Sequence, residues 1–453
     1  MSAIKSRRLS APVVSLLCLT NGGKKAEESK RRLSAPPVSS GASDAFHERM
    51  PRLDPYSKLT YELYSGCCSY QKVIDLTAED PRCVSVVDPD GKMPLHVACQ
   101  GNADLRIVQF LYQRCEWAIH SACYLGQLPL HVAVQGNAPK EIIQFLVEKY
   151  PEGLERGDGE GRVPLHLAVS EGMPLKTVEL LVSKNPEALC KADDYECLPL
   201  HYALMESATT ELIRYWAREY PDALVKADNE GRLPLHLAII YDHEIEVIEF
   251  FVRKCDHSTR LVDAEGCLPL HLAILKRRDV QVIRLLVSYM HKDALVQRDF
   301  MGRTPLDCVF SDSLSMNADD MMAVVEMLVD EQPVLVSSTC RIKCELPLHK
   351  ALQSKVSMAV VRYLINAYRP SVDTPNSDGK LPIHIAIQKR QPDECLRMLL
   401  LESPESARMQ DNQGRTPFQL AYEYDVSLEI IISMIQTCPD LMSSAPLTTK
   451  RLG

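Results

Sequence analysis

Three sets of residues in this sequence could do chemistry: a ladder of histidines, a scatter of cysteines and a pair of serines near the N-terminus. His96, His131, His166, His201, His236 and His271 recur every 35 residues, and imidazole is both a metal ligand and an acid–base group near neutral pH. Residues that repeat once per stacked unit lie roughly 8–10 Å apart, whereas a shared zinc ion needs bonds of about 2 Å, so the ladder reads as structural. The sixteen cysteines run from Cys18 to Cys438 with no CxxC pair and no histidine at finger spacing. They read as small buried apolar groups in a reducing compartment, not as a zinc site or a disulfide frame. No nucleophile elbow, phosphate loop, kinase signature or HExxH occurs. The sequence therefore offers no catalytic residue, metal ligand or cofactor site, and the chain is expected not to be an enzyme.

The elements that must carry the ladder are legible around each histidine. MPLHVA at 93, LPLHVA at 128, VPLHLA at 163, LPLHYA at 198, and LPLHLA at 233 and 268 continue as TPLDCV at 304, LPLHKA at 346, LPIHIA at 381 and TPFQLA at 416, ten units in all. The step from Asp307 to His349 is seven residues longer than 35, and the extra stretch falls near Ser311 to Asp320, a polar segment suited to an enlarged loop. A glycine stands five residues before most ladder positions, as at Gly91, Gly126 and Gly161, where a tight turn would need positive φ. Proline in each tetrapeptide fits the first position of a helix, and the alanine two after the histidine keeps that helix thin enough for close stacking. A second helix is marked by apolar residues at helical spacing, as in KEIIQFLVEKYP from Lys140. Prolines at 151, 186, 221, 333, 370, 404 and 439 end it. Each unit thus reads turn, helix, turn, helix, loop.

This grammar resembles the ankyrin repeat, whose turn–helix–helix unit opens with Thr-Pro-Leu-His, and the resemblance covers about residues 57–440. It implies an all-α solenoid of helix-turn-helix units with β-turn or hairpin tips. The expected layout is a disordered basic tail over 1–50, an N-terminal capping repeat over 51–90, an array of about ten units over 91–440 and a disordered tail over 441–453. Two features depart from the family pattern. The period is 35 instead of the family's usual 33, and the leading threonine survives only at Thr304 and Thr416, a loss of an N-cap oxygen costing about 1 kcal/mol per helix unless another group caps it. Units ending in PEAL or PDAL look like those of large algal and protist ankyrin families.

In such arrays the resemblance places partner binding on the turn tips and the inner, concave face of the first helices. The candidates there are Tyr124, Tyr195, Phe300 and Met301 at tips, and Tyr241, Lys276, Arg277, Arg278, Lys389 and Arg390 just beyond first helices. Residues 1–41 carry a charge of +6 and the remainder −15, so the body would repel a phosphate backbone, and nucleic acid is not expected as a ligand. No apolar run approaches a membrane span. The best, Val13 to Leu19, follows a basic start but has no clean cleavage site behind it, so neither membrane nor leader is expected.

The N-terminal tail repeats a motif, SRRLSAP around Ser10 and KRRLSAP around Ser34. Arginines at −3 and −2 resemble the substrates of basophilic, cyclic-AMP-dependent-type kinases, and with Pro12 and Pro36 at +2 the motif also resembles phosphopeptides captured by 14-3-3 proteins. The resulting expectation is a cytoplasmic scaffold or adaptor, with a nuclear pool as a variant, whose tail is switched by phosphorylation at Ser10 and Ser34. The competing reading is a regulatory or inhibitory subunit that masks a partner's active surface.

Overall fold

The computed structural model describes residues 55–439 except 67, 102, 207, 312–315, 341–342 and 355, so the expectations for the two tails and for Ser10 and Ser34 lie outside the described residues. Among the described residues there are twenty-three α-helices and no strand. The first helices of successive units, such as Pro94–Gln100, Pro129–Gln135 and Pro164–Ser170, pack on one another, and each also packs on the second helix of its own unit. One apolar core runs from Leu59 to Cys438, with Trp216, Phe251 and Phe418 its largest fully buried side chains.

Local chemistry sets each boundary. Proline takes the first position of every first helix from Pro94 to Pro417, where its missing N–H leaves nothing unsatisfied. Several of these helices end on a residue in the left-handed region, among them Asn137, Asp242, Arg277 and Arg390. The next amide then turns back, as in Ala138 N–H to Ala133 O at 2.9 Å and Arg278 N–H to Ala273 O at 2.9 Å. Second helices are capped by Asp104, Thr209, Asp279 and Ser427, or entered from Pro139, Pro174 and Pro392. Their closing prolines do more than stop the helix, since Pro151, Pro186, Pro221, Pro333 and Pro404 each begin a short 3₁₀ turn where the sequence suggested a plain loop.

The missing threonines are offset from within the unit. Thr304 and Thr416 form reciprocal capping boxes with Asp307 and Gln419. Elsewhere the histidine Nδ1 accepts the N–H of the residue that replaced threonine, at 2.8–3.2 Å from Met93 through Leu381. In four units the histidine's own amide turns to the N-cap carbonyl at 2.9–3.0 Å. In those four units the lost threonine oxygen is thereby replaced by a backbone carbonyl.

Asp307 marks a joint in the array. Its carboxylate cannot donate to the next unit as a histidine does, and it pairs instead with Lys350 Nζ at 3.0 Å and Arg298 Nη1 at 3.7 Å. The first helix is shortened there to Pro305–Val309, and the next second helix lengthens to Ala318–Glu331. Of the stretch from Ser311 to Asp320 read as an enlarged loop, residues 312–315 lie outside the described residues and Ala318 to Asp320 already belong to the longer second helix.

Candidate partner-binding face

The site is built from the tips upward. In the tip of residues 88–92, the Asp88 N–H donates to Lys92 O, the Gly91 N–H donates to Asp88 O, and Asp88 Oδ1 accepts the N–H groups of Asp90 and Lys92. The same aspartate-centred turn recurs at Asp158, Asp193, Asp228, Asp263 and Asp411. That aspartate, eight residues before seven of the ten ladder positions, is a signal present in the sequence alongside the glycine.

Adjacent tips are joined by one backbone hydrogen bond each: Tyr124 N–H to Asp90 O, Gly159 N–H to Leu125 O, Asn229 N–H to Tyr195 O and Phe300 N–H to Glu265 O, all 2.8–3.0 Å. Glycine serves twice here. Gly91 has φ 76°, and a Cβ there would sit 2.7 Å from the Tyr124 ring; at Gly266, φ 75°, it would meet the Phe300 ring at the same distance. The two rings therefore rest on the glycine backbone of the preceding tip while Tyr124 and Phe300 remain 77% and 78% exposed. Exposed aromatics fixed on one side bury much area on binding at little entropic cost.

Seven of the eight ladder histidines bolt a tip to the next. Because Nδ1 accepts a backbone N–H, the hydrogen sits on Nε2, which donates to a carbonyl of the following unit at 3.1–3.3 Å in four of them: Gln127 O from His96, Arg162 O from His131, Cys267 O from His236 and Arg303 O from His271. Burial pushes these four imidazoles down to about 4, against the weaker opposing pull of the carbonyls they bind. His166, His201, His349 and His384 are lowered by burial too. Among the described residues no group of three or more His, Cys, Asp or Glu could hold a metal ion.

The second oxygen of each tip carboxylate also has a side-chain donor in most units. Asp158, Asp228, Asp299 and Asp411 take the arginine four residues on, with Nε–Oδ2 distances of 2.7–3.2 Å. Asp88 takes the Tyr64 hydroxyl at 2.6 Å and Asp193 the Tyr202 hydroxyl at 2.7 Å. At Asp263 the residue four on is Cys267, and only the amides of Glu265 and Cys267 reach the carboxylate, both at Oδ1. Burial would raise the Asp158 carboxyl, but its hydrogen bond and ion pair with Arg162 hold it below the ordinary range; at Asp263 burial wins and the carboxyl is raised.

The sequence candidates divide on this frame. Tyr124, Tyr195, Phe300, Met301, Arg277, Lys389 and Arg390 are exposed, and Tyr241 and Lys276 are part-buried. Arg278 is corrected: it is 8% exposed, and its guanidinium is taken up by the His243 carbonyl and Asp242, so it belongs to the packing between units. His243 in turn donates to Leu204 O at 2.8 Å. A short polar chain links three units there, which the run of basic residues disguised.

Of the described cysteines eleven are buried, and burial pushes the Cys197, Cys308 and Cys395 thiols up to about 12. Cys190 and Cys344 are exposed. Native protein treated with iodoacetamide is expected to be alkylated first at these two among the described residues, and at the buried eleven only after unfolding; peptide mass spectrometry reads the difference.

Family models of ankyrin repeats match the chain: a three-copy model over residues 66–156, 130–223 and 165–260, and a many-copy model over 369–421. A comparison with curated proteins returned no match.

Proposed function

The chain belongs to the ankyrin-repeat family, and from that premise we propose that it is a scaffold or adaptor that holds a protein partner on its tips and the concave face of its first helices. Ankyrin repeats are protein-interaction modules, and the observation that carries the finer reading is the pair of exposed rings, Tyr124 and Phe300, each seated on the glycine of the tip before it. Tyr195, Met301 and Leu125 add exposed apolar surface to the same row of tips. Charge complements this: the tips from 158 to 267 carry seven more acidic than basic side chains, against a surplus of one basic residue over those from 299 to 415. Such an arrangement favours a partner that is basic on one part of its surface.

The double substitution Tyr124→Ser with Phe300→Ser is expected to shift the thermal midpoint by no more than about 2 °C, because each ring keeps most of its surface in water. The same variant should lose most of the protein that wild type recovers in stoichiometric amount from native extract. Equal recovery by both would sink the tip reading.

We further propose that phosphorylation of Ser10 and Ser34 by a basophilic kinase creates sites for a 14-3-3-type receptor, in a chain that works in the cytoplasm with a nuclear pool. Two motif copies on one tail would let a dimeric receptor bind bivalently. Comparing the full chain with residues 45–453, each with and without phosphatase, separates the two activities. Receptor lost on truncation and on dephosphorylation supports the switch, whereas receptor held equally by all four samples removes it.

A further inference from the structure

We propose that the tip of Asp263 docks an arginine-bearing segment of a partner protein, the incoming guanidinium pairing with the Asp263 carboxylate and lying against the Phe300 ring. The inference rests on the reading of the tips as the partner face, and names the chemistry of what they take.

Asp263 is 8% exposed, yet it is the tip aspartate described above whose Oδ2 receives no side-chain donor. Four residues on, other tips carry an arginine: in the preceding unit Arg232 pairs with Asp228 at 2.8 Å, its own side chain 20% exposed. At 267 a buried cysteine stands instead, uncharged and too short to reach as arginine does, while Asp263 Oδ2 is not among the buried atoms lacking a partner and so keeps contact with solvent, open to a group from outside. Burial raises the Asp263 carboxyl, against the amides of Cys267 and Glu265 and the weaker pull of the Arg232 charge in the preceding unit.

The surroundings select the ligand. Glu265 is exposed on the same tip and draws positive charge to this spot, whereas Glu230, on the tip joined to it by the hydrogen bond from Ala264 N–H to Glu230 O at 2.8 Å, is already paired with Arg232. Phe300 sits on Gly266 next door with its outer face in water, a platform for a flat cation. Arginine suits both surfaces better than lysine, since its planar fork pairs with a carboxylate and stacks on a ring at once.

The test uses full-length protein and a labelled peptide, acetyl-Gly-Arg-Gly-Arg-Gly-Arg-Gly-amide, followed by fluorescence anisotropy at low salt, with its citrulline counterpart as the uncharged control. Wild type is expected to bind the arginine peptide at least about tenfold more tightly than the citrulline one. Cys267→Arg, which supplies the guanidinium from within, and Asp263→Asn should each weaken arginine-peptide binding about tenfold. Asp411→Asn, whose carboxylate is already paired with Arg415, should not. Cys267→Arg is the decisive variant because it adds a pair found in four other units, and its melting midpoint should be at or above that of wild type. Equal peptide affinity in wild type and Cys267→Arg, or no binding of the arginine peptide by wild type, overturns the proposal. A natural partner lost from the Tyr124→Ser, Phe300→Ser protein but kept by Cys267→Arg refutes this inference and leaves the tip reading standing; a partner kept by both refutes the tip reading as well.

Discussion

Between pH 6.5 and about 4 the array should lose stability steeply. Four ladder histidines have folded values near 4, against an ordinary 6.5, and four more are lowered. In that window the unfolded chain takes up protons that the folded chain refuses, so each fall in pH favours unfolding; above 6.5 neither state is protonated and the full stability is present. The physical cause is plain at the atoms: a proton added to Nδ1 would face the backbone N–H that Nδ1 now accepts, as between His236 and Leu233 at 3.1 Å. Each histidine in a cooperative unit contributes a slope of up to about 1.4 kcal/mol per pH unit. Guanidinium midpoints followed by circular dichroism at pH 7.5, 6.5, 5.5 and 4.5 should fall progressively over the last three. Gln419 shows how to flatten the curve, because its Oε1 accepts the Thr416 N–H at 3.1 Å without a titrating group. Replacing His96, His131, His236 and His271 by glutamine should therefore reduce the slope, and a slope unchanged by all four replacements would assign the acid loss elsewhere. The lowered carboxyls of Asp158 and Asp411 add a second loss only as pH falls below the ordinary carboxylate range.

Gly126→Val should be the most damaging single substitution in the tips. Gly126 has φ 72°, which a β-branched residue adopts only with strain of about 1–3 kcal/mol, and its Cβ would sit 2.5 Å from the backbone nitrogen of Gly159. Backbone cannot rotate away as a side-chain end can, so the bond from Gly159 N–H to Leu125 O must open, a further loss of about 1 kcal/mol. Stability in a stacked array is a sum of unit terms and nearest-neighbour terms, so weakening one junction uncouples what lies on its two sides. Hydrogen exchange should then show lowered protection for amides in 55–125 and near wild-type protection beyond residue 200. Gly414→Val is the control: φ is 74° there but nothing lies within 4 Å of a Cβ, so only the strain is felt. Equal effects of the two substitutions would mean that tip-to-tip contact contributes little.

Much of this architecture was legible from spacing alone, because a period of 35 imposed on Pro, His, Gly and Ala fixes helix starts, turns and stacking together. The histidine's structural role followed from distance, while its two-ended geometry, accepting within the unit and donating to the next, needed coordinates. What the sequence hid lay in pairings between neighbouring positions. Arg278 reads as part of a basic surface run with Lys276 and Arg277, yet the tightly closed turn after the helix carries it inward to the His243 carbonyl. The Asp–Arg pairs of the tips are four residues apart in plain view, but only the fold shows that Cys267 leaves Asp263 without the partner that Asp158 and Asp228 enjoy. The exposed rings were anticipated as anchors; that each lies on the glycine before it could not be read from a one-dimensional pattern.

The central claim is that the row of tips is the partner-binding face, and amide hydrogen exchange of the full chain with and without its recovered partner tests it most directly. Slowed exchange concentrated at tip amides, residues 124–126, 193–196, 263–266 and 300–302, is the expected result. Protection confined instead to the second helices, such as Leu105–Arg114 and Lys140–Lys149, with the tips unchanged, would contradict it.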